Sequence, residues 1–263
     1  MTTPADDYRS LAREELLAIL AGDRVFDGVR FPADLTLDEL DFAEARFVRC
    51  HFQAPTLRGA DFSSSVFEEC RFESMRWANC KLARARLQGC SLFDTGTRKG
   101  CTFAFCDMEA AEVAKSNLAT GIFERCGLYG FSAGESSFRG AQFKQSSFTR
   151  TLSRRSALTK VTFKRCNLSF ADLSGLFLQK AEFLSCKLSE ASFIDTDLGE
   201  ATLRGCSLDR IEWERARLRK ADLRGSELSG LNLAVLADYA GVMVSDSEQA
   251  ELLRGLGVDV HPS

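Results

Sequence analysis

From Phe42 to Leu92 a large apolar residue returns at every fifth position: Phe42, Phe47, Phe52, Leu57, Phe62, Phe67, Phe72, Trp77, Leu82, Leu87 and Leu92. After an interruption the beat resumes at Phe103, Met108 and Val113. It then runs, with small residues at Ala133 and Ser153, through Leu158 to Leu233. Two residues before each centre stands a small residue, as in ADLSG (171–175) and ADLRG (221–225). A period of five matches neither the 3.6 of a helix nor the 2 of a strand. It fits a chain that turns a corner every five residues, with the small and the large residue inward and three residues outward. Four such units close a square coil of 20 residues, and each coil buries its apolar core only against its neighbours, as in a solenoid. With strand-like spacing between coils, about ten of them make a rod of roughly 45–50 Å. The expected fold is therefore all-β, a solenoid of quadrilateral coils with a short helix at each end.

Three oddities of composition follow from this geometry. Phe is abundant (21) while Tyr (3) and Trp (2) are rare, because rings stacked in an inner column bring no polar group in need of a partner. Pro is rare (4) because it removes a donor from the ladder between coils. All ten cysteines sit two residues before a centre, where Cys acts as a small apolar filler. Cys106, Cys126, Cys166, Cys186 and Cys206 differ by multiples of 20, so the count predicts one stack on one face. The chain opens without a basic-then-apolar export signal and has no run of 18 apolar residues, which gives an expectation of a cytoplasmic protein with no membrane association. Reduced thiols fit that compartment. The two histidines, His51 on an outward position and His261 in the tail, do not make a ligand set with the cysteines. The phosphate-loop, dinucleotide, HExxH and GxSxG motifs are all missing. The reading is a non-enzyme with no cofactor and no metal.

The ends differ in character. Residues 1–24 contain SLAREELLAILA (10–21) followed by Gly22, a helix with a C-terminal stop that would cap the first coil. Residues 25–235 are the repeat. Residues 236–263 carry a second short helix, SEQAELLRGL (247–256), with Ser247 placed to cap it. Leu252, Leu253, Leu256 and Val258 are too apolar for a solvated tail and suit a self-complementary contact in a homodimer.

The small-x-large-x-x units identify the chain as similar to the pentapeptide-repeat proteins, whose fold is a right-handed quadrilateral β-helix. Three features resemble the Qnr-type branch. SLFDTGTRKGCTF (91–103) is similar to that branch's first projecting loop, here 93–100. Nine units beyond Phe103 comes TRTLSRRSALTK (149–160), at the place of the larger second loop. Because this segment keeps the count, it fits an ordinary face as well as a loop. The tail from Leu236 resembles the branch's dimer-forming ending. About 47 N-terminal residues are expected to lack a counterpart. The resemblance implies a protein that binds DNA gyrase and/or topoisomerase IV and protects it from quinolones or a self-made toxin, with no direct nucleic-acid binding. The implied contact residues are Phe93, Asp94, Thr95, Gly96, Thr97, Arg98 and Lys99 in the first loop and Arg150, Arg154 and Arg155 in the second. A general interaction scaffold in signalling or assembly is the alternative.

The branch is commonly explained as a rod imitating duplex DNA. The eleven-residue interval between Leu92 and Phe103 reads as two units plus one residue. Counting faces on that basis segregates the outward charges: one face carries about +8 (Arg58, Arg76, Arg98, Lys99, Arg139, Lys160, Lys180, Arg217, Arg219, Lys220), and two adjacent faces together carry about −4. A duplex of this length carries roughly 25–30 charges. Charge imitation along the whole rod therefore fails, and only a local contact of the acidic faces and acidic tail with a basic groove is left.

Overall fold

The computed structural model describes residues 8–153 and 156–260. It is a right-handed quadrilateral β-solenoid. One face is a nine-stranded parallel sheet whose strands pair in order from Val25–Asp27 to Thr202–Arg204. The other three faces carry shorter parallel ladders and single bridges between successive coils. The centres of the first face are Phe26, Phe47, Phe67, Leu87, Val113, Ala133, Phe163, Phe183 and Leu203. The second face runs through Phe31, Phe52, Phe72, Leu92, Leu118 and Phe138. The third runs through Leu57, Trp77, Phe103, Phe123 and Phe143, and the fourth through Phe42, Phe62, Leu82, Met108 and Leu128.

The rings stack coil on coil. Phe47 lies 4.7 Å from Phe67 with planes 8° apart, and Phe123 lies 4.8 Å from Phe143 at 8°. In most units the residue two after the centre turns the corner in the left-handed region, from +44° at Ser74 to +83° at Gly230. For a non-glycine residue that conformation costs roughly 1 kcal/mol. The ladder bonds made on both sides of the corner offset it.

The small inward position is polar as well as small. Cys90 Sγ donates to the Phe67 carbonyl one coil below, and Ser116 Oγ accepts from the Cys90 amide. Ser or Cys there ties neighbouring coils in a way that Ala does not. The single predicted stack of cysteines is in fact two. Cys80, Cys106 and Cys126 stand in the column of the fourth face, while Cys50, Cys70, Cys90, Cys166, Cys186 and Cys206 stand in that of the second face, opposite. All ten are buried free thiols. Burial pushes the Cys101 thiol up to about 12.

At the N-terminal end, α1 (Arg13–Ala21) is shorter than expected. Arg9–Ser10 forms instead an edge strand parallel to Val29–Phe31. Leu11 and Leu16 enter the core and Ile19 and Leu20 pack against it, so the helix spends its apolar side on the first coil. His51 occupies an outward position but is only 3% exposed, because the Tyr8 ring covers it at 5.3 Å. Its Nε2 is 2.9 Å from Glu73 Oε1. At the other end, α2 (Gln249–Gly255) follows a single 3-10 turn over Asp246–Glu248, and Ser247 makes no cap to it. A Cβ on Gly255 would sit 2.7 Å from the Leu231 carbonyl, which shows how closely this helix lies on the last coil. Among the described residues, no helix is long and apolar enough to cross a membrane.

Candidate partner-binding surface

Two segments leave the rod. Trp77 pairs with Phe103 and Leu87 with Val113, so the coil between them holds 26 residues rather than 20. The first interruption is therefore a clean insertion of six residues at the corner between the second and third faces. It does not replace a unit, and the predicted shift of one residue across two units is corrected accordingly. Cys101 follows Leu92 directly around the corner, its amide donating to the Leu92 carbonyl at 2.9 Å.

The loop is a small antiparallel hairpin with Phe93 opposite Gly100 and Asp94 opposite Lys99. Asp94 organises it. Its carboxylate accepts from Gly96 N at 2.8 Å and from Thr97 Oγ1 at 2.6 Å, and from Ser74 Oγ one coil below at 3.3 Å. The Thr97 hydroxyl, then the Gly96 amide, hold this carboxyl below its ordinary range. Thr95, Gly96, Thr97, Arg98 and Lys99 are exposed, while Phe93 and Asp94 are half-buried at the base. Gly100 is the exit. Its Cβ would lie 2.7 Å from the Gly121 amide and would also strike the Ala119 carbonyl, so only glycine passes the next coil there.

The second interruption is larger. Ala133 pairs with Phe163, giving a coil of 30 residues. Thr149–Ser153 and Ser156–Thr159 form an antiparallel hairpin with Arg150 opposite Leu158. The segment is thus not an ordinary face: Leu158 is 48% exposed and Leu152 58%, and the core resumes at Val161. The hairpin leaves between the fourth and first faces, diagonally across from the first loop and about two and a half coils, roughly 12 Å, further along. Arg150 does not reach outward. Its guanidinium lies 4.5 Å from the Tyr129 ring and pairs with Glu109, which leans the hairpin toward the N-terminal coils. Arg154 and Arg155 fall outside the described residues.

These insertions undo the predicted charge segregation. Six residues rotate all later faces by one place relative to the count, and ten rotate them by half a turn. In the observed stacking every face carries a net charge between about −2 and +1. The supposed basic face is dispersed. Arg58 and Arg76 lie on the third face, Arg139 on the second, and Lys180, Arg217, Arg219 and Lys220 on the fourth, while Arg98 and Lys99 belong to the loop. Many charges pair up or down the rod, among them Arg46 with Glu68, Arg49 with Asp27 and Arg215 with Asp195. A contact made through acidic faces is thereby withdrawn.

The C-terminal apolar group is partly consumed. Leu252 packs against the core, but Leu253, Leu256 and Val258 remain 41–48% exposed. The count alone did not reveal that Tyr239 and Met243 are exposed as well (46% and 40%). Among the described residues, no group of three His, Cys, Asp or Glu side chains is placed to hold a metal ion.

These coils, corners and inward columns are those of a pentapeptide-repeat protein. The profile described as "Pentapeptide repeat region" matches residues 156–233, and "Pentapeptide repeats (8 copies)" matches 45–76 and 136–169. Among solved structures, the chain is similar in fold to full-length QnrB1, a plasmid-mediated fluoroquinolone resistance protein (TM-score 0.65, 21% identity, 89% of this chain and 99% of that one). It is also similar to HetL, a pentapeptide repeat protein involved in heterocyst differentiation regulation from the cyanobacterium Nostoc sp. strain PCC 7120 (TM-score 0.53, 21% identity, 90% and 94%). No curated protein matches by sequence.

Proposed function

We propose that this protein is a non-catalytic binder of type II DNA topoisomerase, gyrase and/or topoisomerase IV, that protects the enzyme from inhibitors such as quinolones or a self-made toxin. The observation that carries the reading is the pair of insertions. A rigid rod presents a self-organised loop (93–100) and a larger hairpin (149–160) from opposite corners, as a Qnr-type rod would. Loops held by rigid scaffolds are where contacts concentrate. With the faces nearly neutral, the rod's DNA-like dimensions contribute by shape, and the loops supply the specific contacts through Phe93, Asp94, Arg98 and Lys99. The protein acts in the cytoplasm and does not itself bind nucleic acid or membrane. It works as a homodimer joined through Leu253, Leu256 and Val258, with Leu252 supporting them from below.

The deciding experiment is supercoiling by the host's own gyrase in the presence of ciprofloxacin. Added protein restores supercoiling; absence of rescue with both host topoisomerases refutes the proposal for quinolones. Leu253→Asp yields a monomer on size exclusion, and a variant that stays dimeric places the interface elsewhere. The fold likeness to HetL favours the second reading, a scaffold in a regulatory assembly, which would bind a partner without altering topoisomerase activity.

A further inference from the structure

Away from the two ends and the larger hairpin, the exposed large apolar side chains among the described residues are Phe105, Phe170 and Phe177, at 47%, 45% and 42%. Two of them sit where this fold tolerates a ring least. Phe105 (φ +56°) and Phe170 (φ +62°) occupy left-handed corners. At the other left-handed corners stands glycine, alanine or a polar residue. A bulky side chain is costly in that region, and neither ring is buried in return.

The three rings frame one stretch of the third face. Phe105 follows Phe103 at the corner between the third and fourth faces. Three coils on, roughly 14 Å along the axis, Phe170 precedes Leu173 at the corner between the second and third faces, and Phe177 opens the fourth-face segment beyond it. The remaining corner of the frame is the loop 93–100, beside the coil of Phe103. Gly140 and Gly175 leave the edges next to Phe170 and Phe177 without side chains. Each corner ring carries a guanidinium: Arg139 Cζ lies 4.6 Å from the centre of Phe170, and Arg125 Cζ 5.4 Å from that of Phe105. Arg125 is steadied further by donating from Nε to Gln145 Oε1 at 2.7 Å.

The charges in the frame are unevenly used. Arg125, Arg139 and Lys144, and Arg98 and Lys99 of the loop, are exposed and make no ion pair among the described residues. The carboxylates beside them are engaged: Asp94 by Gly96 and Thr97, Glu124 with Arg76 at 3.8 Å, and Asp172 by the Ser174 amide at 3.0 Å. We propose that this frame is an interaction surface for an acidic segment of a protein partner that also carries apolar side chains. The rings take the apolar groups and the free cations take the carboxylates. Aromatic rings and arginines are the residue types that anchor interfaces, and a guanidinium stacked on a ring keeps its N–H fork free for a carboxylate. Nucleic acid fits less well, because its regularly spaced phosphates call for a continuous basic track, which Glu124 and Asp172 interrupt. For the identity of the partner the proposal rests on the topoisomerase reading; the chemistry of the surface does not.

The test is a triple variant, Phe105→Ser, Phe170→Ser and Phe177→Ser, together with Arg139→Glu. Serine already stands at the corners Ser64, Ser74 and Ser185, so the rod keeps its unfolding midpoint. Binding to the host's purified gyrase and topoisomerase IV weakens about tenfold or more in the triple variant and about threefold or more in Arg139→Glu. A triple variant that folds and binds within about twofold of wild type overturns the proposal. Should wild type bind neither enzyme, the topoisomerase reading fails on its own, and linear peptides displayed on phage decide for the surface. Wild type then enriches acidic sequences that carry aliphatic or aromatic residues, and the triple variant does not retain them. Failure to enrich any peptide, or enrichment of basic or uncharged ones, overturns the proposal. So does a labelled single-stranded DNA that binds wild type and not the triple variant. Should the triple variant fail to fold, Phe177→Ser and Arg139→Glu are judged singly by the same measurements.

Discussion

Excising Asp94–Lys99 should leave the rod standing. The coil between Trp77 and Phe103 holds 26 residues, and removing six restores the 20 of its neighbours. Leu92, Phe93, Gly100 and Cys101 then run around the corner in the order of an ordinary unit, and Phe103 keeps its place 5.7 Å from Trp77. What is lost is the loop's internal bonding and the cross-coil contacts of the Ser74 hydroxyl, to Asp94 at 3.3 Å, Thr97 Oγ1 at 3.0 Å and the Lys99 carbonyl at 3.5 Å, together worth about 0.5–1.5 kcal/mol at a half-exposed site. What is gained is the entropy of a connection shortened about fourfold, roughly 1.2 kcal/mol. The terms nearly cancel. Chemical denaturation should place the excised protein within about 1 kcal/mol of wild type, and its Tm within about 4 °C. The topoisomerase rescue should meanwhile be weakened. Under the alternative spacing, two units plus one residue, the same excision would remove a face and slide Phe103 from Leu82 to Trp77, and single deletion of Thr95 would be the neutral change. Loss of cooperative unfolding on excising six residues, with tolerance of the single deletion, refutes the insertion reasoning.

Other consequences follow from the same packing. Gly100→Ala forces a methyl against the backbone of Ala119 and Gly121 and should cost about 1–3 kcal/mol in urea unfolding, far more than removing the loop. Leu16→Ala leaves a hole under the cap at a fully buried position and should cost about 2–5 kcal/mol. Exchange should show the loss first in the coil of Phe26, because a solenoid frays from its ends. Asp222 carries a carboxyl held well below its ordinary value by Arg224 and, against some desolvation, by Arg204. A depressed carboxyl stabilises fully above its unfolded value and loses that contribution as pH falls. Asp222→Asn should therefore be less stable than wild type at pH 7, with the gap narrowing as pH drops below about 4.

The five-residue beat was sufficient for the coil, the inward columns and the stacked rings. Those features depend only on which residues are apolar and how often they recur. Phe47 over Phe67 is legible from two positions twenty apart. The same count failed wherever it crossed an insertion. An interval of eleven fits either two units and a residue or one unit and six, and nothing local distinguishes them. An interval of fifteen, from Phe148 to Phe163, keeps the phase while rotating the face by half a turn. So the cysteines divided into two columns, and a basic face of about +8 became a set of charges spread over three faces. The exposed side chains carry no periodic signal of their own, because water accepts any of them. By itself, then, the sequence determined the unit, the coil and the two places where the beat breaks. Only the tertiary structure decided which face each residue shares, how Asp94 shapes the loop, and where the larger hairpin leaves the rod. Those outcomes are set by which coil lies against which, and that is fixed by backbone pairing between residues 20, 26 or 30 positions apart.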